Sequence, residues 1–164
     1  MGAVWTDDGL RYVAEYKDGE WELLWNENPN SSYSKKGLKN AEKIYIPNKN
    51  GIKVKVLNEV LNEYGLQEAK ILQIDTNTAD TSRIPALAKA YIALDQSDAD
   101  LIISRGRLGI PGSGSLLVFI DNKGRILTAG TSASHAVHKK SIEEAVYKEA
   151  CEALEKIGFE KIEG

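Results

Sequence analysis

Residues 101–129 read LIISRGRLGIPGSGSLLVFIDNKGRILTA, three apolar runs separated by two polar, glycine-containing segments. Residues 101–103 are consecutively apolar, as expected for a strand that is covered on both faces in a parallel arrangement. Residues 115–120 predict the next strand, and the turn at 121–124 leads the chain back through residues 125–129 as a hairpin. A parallel strand beside a hairpin predicts a mixed sheet.

Upstream of this stretch, strands alternate with helices. Residues 43–46 predict a strand, and residues 56–64 repeat apolar side chains at helical spacing. Residues 70–74 predict a second short strand, and a polar segment at 75–82 separates it from the next helix. This alternation is typical of an α/β fold.

Two more helix boundaries complete the pattern. The helix after the polar segment is predicted to begin near Pro85, with Thr81 and Ser82 as candidate caps. The last helix is predicted to begin at the S-x-x-E capping box of residues 141–144 and to end at Gly158. We therefore expect a single α/β domain over residues 1–164, with a mixed central β-sheet flanked by helices.

The first 40 residues differ from the rest. Two aromatic-rich runs flank Asp18-Gly19, a step that is typical of a β-hairpin, and the sequence NENPNSSYSKKG that follows predicts a polar connector. We expect residues 1–40 to be a hairpin-like elaboration with a connector.

Composition excludes several classes of function. The chain of 164 residues has a formal charge of -3, so it lacks the broad basic field of a nucleic-acid-binding protein. Cys151 is the single cysteine and cannot form an internal disulfide. No apolar run reaches the ~20 residues of a membrane helix, and the first residues lack a signal-peptide pattern, which predicts a cytoplasmic protein without membrane partners.

The segment RGRLGIPGSGS at residues 105–115 is the strongest candidate binding loop. It lacks the lysine and the following helix of a phosphate-binding P-loop, so that interpretation fails. Its glycines still allow a backbone anion nest at Gly112 and Gly114, with Ser113 and Ser115 as hydroxyl donors. Arg105 and Arg107 lie two residues apart, so in an extended strand they project to one side, where they can hold a phosphate or carboxylate. The alternative is a glycine-rich bulge whose arginines are solvated or paired with aspartates.

Two further polar turns lie between a predicted strand and its helix, where open α/β sheets bind ligands. The first, IPNKNGIK, supplies the candidate ligand-binding residue Asn48. The second, DTNTADTSR, supplies a larger set of candidate nucleotide- or substrate-binding residues, namely Thr76, Asn77, Thr78 and Arg83. Asp75 and Asp80 are candidate Mg²⁺ ligands, because Mg²⁺ binds carboxylates together with substrate phosphates. Ordinary turn and capping chemistry is the alternative for each turn.

A hydroxyl-rich segment with both histidines of the chain, TSASHAVH, follows the hairpin. His135 is a candidate phosphate donor or acid–base group near neutral pH, with Ser134 beside it. His138 fits a surface or capping role better, because two histidines without a third ligand make a weak metal motif.

Taken together, NTADTSR, the loop RGRLGIPGSGS and the Ser-His segment resemble the HcgB family. These are guanylyltransferases that help methanogenic archaea make the iron-guanylylpyridinol (FeGP) cofactor of mononuclear iron hydrogenase. The resemblance covers roughly residues 44–159. It implies a homodimer with a fold like that of inosine triphosphate pyrophosphatases. Those enzymes carry an acidic metal-binding cluster in the region where this chain has Arg105 and Arg107, and Ala136 stands where their Ser-His-Arg segment has arginine.

The resemblance implies that GMP is transferred from GTP to a pyridinol hydroxyl with release of pyrophosphate, with Mg²⁺ as the expected cofactor for GTP. Lys53 and His135 are then the candidate catalytic residues, and His135 is a candidate base for the pyridinol proton. Two other functions stay open on the residues alone: a nucleoside triphosphate pyrophosphatase, or a non-enzymatic nucleotide-binding protein.

Overall fold

The structure is a computed structural model that describes residues 2–5, 11–26, 33–108, 114–132 and 141–162. The strands are β1 Gly2–Trp5, β2 Arg11–Lys17, β3 Glu20–Asn26, β4 Ile44–Ile46, β5 Lys70–Ile71, β6 Leu101–Arg107, β7 Ser115–Asp121 and β8 Ile126–Ser132. The α-helices are α1 Tyr33–Asn40, α2 Gly51–Glu63, α3 Pro85–Asp95 and α4 Ile142–Lys156, and a 3-10 helix spans Asn77–Thr81. None of these described helices is long and apolar enough to cross a bilayer.

The central sheet is mixed, as predicted. Its strand order is β5-β4-β6-β7-β8. Strand β4 runs parallel to both β5 and β6, whereas β7 runs antiparallel to its two neighbours, β6 and β8. The α/β class and the hairpin that ends in β8 are therefore confirmed.

Alternate residues of β6 build two apolar layers, one on each face of the sheet. Leu101 and Ile103 pack with residues of α2 and α4, whereas Ile102 packs with the alanine-rich face of α3. All three side chains are fully buried. Burial on both faces explains why the strand has no polar alternate at these positions.

Two glycines allow helices to approach this sheet closely. A Cβ atom at Gly106 would lie 2.6 Å from the backbone nitrogen of Ala86 in α3, and one at Gly130 would collide with the carbonyl oxygen of Glu149 in α4. Any side chain at either position would push a helix away from the sheet. The close approach brings side chains of both helices to the end of β6.

The hairpin predicted near the N-terminus is present, since β2 and β3 are antiparallel and Asp18 and Gly19 both have positive φ. The predicted connector is wrong in part, because its C-terminal half forms α1. Leu38 of this helix is buried in the main core, and Lys35 Nζ donates to the carbonyl of Gly158 at 3.0 Å. Helix α1 is short and has few apolar residues, and the burial of Leu38 in the core stabilises it.

Three other boundaries in the structure differ from the predicted ones, two of them because of strand pairing. Strand β6 continues to Arg107, because β7 pairs with it over the whole length. Strand β5 has two residues and not five, because only these pair with β4 at the sheet edge. The N-cap of α3 is Ile84, which has no side-chain cap bond, and Ser82 Oγ instead accepts the Ile84 N–H.

The predicted capping box of α4 is confirmed, and it yields a stability prediction. Ser141 Oγ accepts the N–H of Glu144 at 3.1 Å. Replacing Ser141 by alanine is expected to lower the free energy of unfolding by about 1 kcal/mol, because one N-terminal N–H loses its partner. Urea denaturation measures this loss, and Ser141→Asp, which keeps a cap acceptor, serves as the control. A stability equal to wild type in Ser141→Ala would contradict the cap.

Candidate functional site

The carboxyl ends of the parallel strands form one edge of the central sheet, and most of the predicted ligand-binding residues meet there. Strands β4, β5 and β6 end at Ile46, Ile71 and Arg107. Because β7 is antiparallel to β6 and β8 is antiparallel to β7, the first residue of β7 and the last residue of β8 lie at the same edge: Arg107 pairs with Ser115, and Ser115 pairs with Ser132. The fold thus brings segments that are distant in sequence to one site.

The turn between β4 and α2 is built by two asparagines. Asn48 Oδ1 accepts the N–H of Asn50 at 2.8 Å, and Asn50 Oδ1 accepts the N–H of Ile52 at 3.0 Å as the N-cap of α2. This bonding starts the helix sharply and places Lys53 in its first turn. The predicted contribution of Asn48 to ligand binding stays a prediction, and its carbonyl oxygen is already used by the turn.

The polar segment before α3 is held by local hydrogen bonds. Asp75 Oδ1 accepts the N–H of Asn77 at 2.9 Å, and Thr81 Oγ1 donates to the carbonyl of Thr78 at 2.8 Å. The predicted Thr76, Asn77, Thr78, Asp80 and Arg83 all lie on this 3-10 helix or directly beside it, and apart from Thr76 they are exposed. Turn chemistry therefore explains more of this segment than the sequence suggested.

A cavity of about 530 Å³ opens between these two turns. It is lined by Ile71 and Ile74 together with Lys49, Gln73 and Asp75. Its size falls within the range of small-molecule sites, and three of its five lining residues are polar or charged.

The segment between β6 and β7, residues 108–114, is called the glycine loop. Its described ends are joined by the N–H of Leu108, which donates to the carbonyl of Gly114 at 2.9 Å. Gly114 has a φ of 105°, a left-handed conformation that favours glycine. Arg107 Nη2 donates to the carbonyl of Asp80 at 2.8 Å, so the loop is tied to the 3-10 helix. The predicted Gly112 and Ser113, like Ser134 and His135, lie outside the described residues.

Arg105 has a different environment from the one predicted. Its Nε donates to Glu149 Oε1 at 2.8 Å and its Nη2 donates to Glu149 Oε2 at 3.1 Å, a bidentate pair. The Arg105 side chain is 7% exposed and that of Glu149 is fully buried. The two guanidinium groups bind different protein groups, and their predicted contact with a phosphate or carboxylate stays a prediction. Arg105 pairs with a glutamate and not with the nearby aspartates.

Lys53 stands out because its charge has no direct partner among the described residues. Its ammonium group makes no hydrogen bond or ion pair with the part of the chain that the structure describes, although the side chain is half-buried. Burial lowers the pKa of Lys53, and the positive charges of Arg105 and Lys89 lower it further, while the Glu149 carboxylate opposes them. A half-buried, unpaired ammonium beside two other cations favours an anionic ligand.

Three residues around Lys53 and Arg105 were not predicted as site residues from the sequence, namely Lys89, Ser132 and Glu149. Lys89 Nζ donates to the carbonyl of Arg105 at 3.2 Å, and the Ser132 hydroxyl donates to Glu149. The signal was present for Glu149, because three residues after Val146 and four before Ala153 it falls on the apolar face of the last helix. A carboxylate on such a face needs a buried partner.

Comparisons with known proteins agree with the resemblance seen in the sequence. The family model described as "FeGP cofactor biosynthesis protein HcgB, guanylyltransferase" matches residues 28–159 of the chain. Among solved structures, the chain is similar to that titled "Crystal structure of protein VC0702 from Vibrio cholerae", at 14% sequence identity and a TM-score of 0.46. That similarity covers 63% of this chain and 65% of the other.

Proposed function

The chain belongs to the HcgB family of guanylyltransferases in FeGP cofactor biosynthesis, and from this premise we propose that it transfers GMP from GTP to a hydroxyl group of a substituted pyridinol, with release of pyrophosphate. The observation that carries the proposal is the half-buried Lys53 ammonium, unpaired among the described residues and located at the carboxyl edge of the sheet. A triphosphate supplies the negative charge that this group lacks.

The reaction joins the pyridinol oxygen to the α-phosphorus of GTP and breaks the bond to the β-phosphate oxygen. The hydroxyl proton leaves, and negative charge accumulates on the departing pyrophosphate. We propose that Lys53, Arg107 and backbone N–H groups of residues 112–115 bind the phosphates and stabilise this charge. Preorganised charges in a water-poor site contribute strongly to such a transfer.

Arg105 has a second role in this proposal. Two of its five N–H donors bind Glu149, and the side chain is almost fully buried. It therefore supports the site with a buried positive charge, and Lys53 and Arg107 make the direct contacts with phosphate.

The Mg²⁺ that usually accompanies GTP is proposed to bind phosphate oxygens together with Asp75. The described residues hold no group of three or more side chains that would bind a metal by themselves. This fits Mg²⁺ delivered with the nucleotide, since the ion commonly takes only one or two carboxylates and keeps its remaining ligands as phosphates and waters. Asp75 lines the cavity and uses one of its oxygens for the Asn77 N–H, whereas Asp80 contributes its carbonyl to Arg107. Bound Mg²⁺ would neutralise phosphate charge.

The cavity beside Asp75 suits a flat ring. Ile71 and Ile74 provide apolar surface, and Gln73 and Lys49 provide polar groups that can orient ring substituents. We propose that one of the two heterocyclic substrates binds here. His135 is proposed to take the proton of the attacking hydroxyl, a role for which an imidazole is suited near neutral pH.

One assay tests the proposed function. The purified protein is incubated with GTP and Mg²⁺, with and without a substituted 2,4-dihydroxypyridine, and the nucleotide products and pyrophosphate are followed. We expect pyrophosphate and a guanylylated pyridinol only when the acceptor is present. Equal release of pyrophosphate and GMP without the acceptor would assign the chain to hydrolysis. Bound but unchanged GTP in both samples would contradict transfer to this acceptor.

A further inference from the structure

Glu149 is a fully buried carboxylate in the middle of α4 that faces the candidate site. It accepts two hydrogen bonds from the Arg105 guanidinium, at 2.8 and 3.1 Å, and a third from the Ser132 hydroxyl. Ser132 ends β8 at the same sheet edge where β6 ends. Glu149 therefore links α4 to β6 and β8 near the carboxyl ends of those two strands.

The backbone around this pair is specialised for it. Gly130 allows α4 to approach β8 at Glu149, and Gly106 allows α3 to approach β6 beside Arg105. From α3, Lys89 Nζ reaches the Arg105 carbonyl at 3.2 Å. Arg105 is thus held on its side chain from one face of the sheet and on its backbone from the other. Such bonding fixes β6 two residues before its end at Arg107.

A buried ion pair is a poor means of stabilising a fold. Replacing such pairs by apolar residues of similar size is often neutral or stabilising, because both charges must be removed from water. Apolar residues on α4 and β6 would continue the core that Val146 and Ile103 already form. The pair is better explained by what it does for the site.

The charges around Lys53 show what the pair of Arg105 and Glu149 does for the site. Among the described residues, the charged groups that act on its ammonium are Arg105 from β6, Lys89 from α3 and Glu149 from α4. Glu149 is the single negative charge in this set. Without it, three mutually repelling cations would be left in a half-buried site, and Lys53 would lose its proton more easily.

We propose that Glu149 is a positioning residue for the transfer reaction, which holds the Arg105 guanidinium near the end of β6 and balances the three cations Lys53, Arg105 and Lys89. This inference rests on the proposed function. It means that a residue that does not contact the substrate positions the groups of the phosphate site. It acts through Arg105 and through the charge of Lys53.

The test compares two variants with wild type. In Arg105→Met/Glu149→Leu the whole pair is replaced by apolar side chains, and in Glu149→Gln the shape is kept but the charge is lost. The matched control is Thr128→Val, because Thr128 is buried in β8 and donates to the Ala153 carbonyl of α4 at 2.7 Å. Melting temperature, kcat and KM for GTP, and the pH dependence of KM are measured for each.

We expect the double variant to fold with a melting temperature close to that of wild type while kcat/KM falls at least about tenfold, the effect of losing one charge-assisted interaction. Glu149→Gln should lower kcat/KM by a similar factor and shift the alkaline rise of KM to lower pH, because the Glu149 charge that raises the pKa of Lys53 is gone. Thr128→Val should change neither kcat/KM nor the pH profile.

The inference is overturned if the double variant keeps the kcat/KM and the pH profile of wild type, or if both variants fail to fold, because the pair is then purely structural. Either result leaves the proposed function intact when wild type transfers GMP. If wild type binds GTP without transfer, the proposed function fails alone, and Kd for GTP replaces kcat/KM in the same comparison. Wild type that binds no GTP overturns both.

Discussion

Replacing Lys53 by methionine is expected to lower kcat/KM for guanylyl transfer by about 10²- to 10³-fold, the effect of removing one preorganised group that stabilises charge in the transition state. The ammonium is half-buried and has no hydrogen bond or ion pair to the described residues, so the substrate is its partner in the proposed site. Steady-state kinetics with varied GTP measure the loss. Methionine keeps the length and apolar character of the lysine stem.

The control for this variant is Lys55→Met, because Lys55 lies on the same helix and is exposed. It removes the same charge from the protein without touching the site. Removal of a half-buried, unpaired charge should leave the melting temperature of Lys53→Met unchanged or raise it. A normal kcat/KM in Lys53→Met would exclude Lys53 from the phosphate site.

The pH profile of wild type gives a second measurement on the same residue. The pKa of Lys53 is lowered, first by burial and then by Arg105 and Lys89. GTP affinity should therefore be full while Lys53 is protonated and should fall as the pH rises through its lowered pKa, below the ordinary lysine value of about 10.4. In Lys53→Met this dependence should disappear, because no proton is left to lose.

Much of the fold was readable from the sequence because its signals are local. The turn between β7 and β8, the capping box of Ser141 and the Asp18-Gly19 hairpin each depend on a few adjacent residues. The mixed sheet followed from one consecutively apolar strand beside a hairpin. Boundaries that depend on strand pairing, such as the end of β6 at Arg107, could not be read locally, because a distant strand supplies the partner.

The candidate site was predictable in part for the same reason. Asn48 and Ser115 were found by their position next to strand ends and Lys53 by the family resemblance, and the topology places all three at one edge. The buried pair of Arg105 and Glu149 joins residues 44 positions apart, so no local pattern contains it. A rule that every charge on an apolar helix face has a partner would have identified Glu149, though not which cation it binds.

The HcgB family match supports the guanylyltransferase activity that the loop and the Ser-His segment suggested. It begins at residue 28 and therefore includes α1, which the sequence-based interpretation had assigned to a connector outside the family region. The burial of Leu38 in the main core explains why this helix belongs with the rest. The likeness to the inosine triphosphate pyrophosphatase fold stays a prediction.

Replacing Gly130 by alanine is expected to lower the free energy of unfolding by about 3 kcal/mol, the upper end of what overpacking a core costs. The new Cβ would collide with the Glu149 carbonyl oxygen and would lie 2.8 Å from its carbon. These are backbone atoms in the middle of a helix, so no side chain can rotate away. The melting temperature should fall by roughly 6–12 °C for a chain of this size, which scanning calorimetry measures.

The same substitution at Gly51 is the matched control, because a Cβ there meets no atom within 4 Å and the residue is helical. Gly51→Ala should be neutral or stabilising by up to about 1 kcal/mol, since alanine loses less backbone entropy on folding. Because α4 carries Glu149, its displacement in Gly130→Ala should also loosen the bond to Arg105, and transfer should be impaired at temperatures where the variant is still folded. A Gly130→Ala protein as stable and as active as wild type would mean that β8 and α4 tolerate a wider spacing, and the buried pair would then not depend on their close approach.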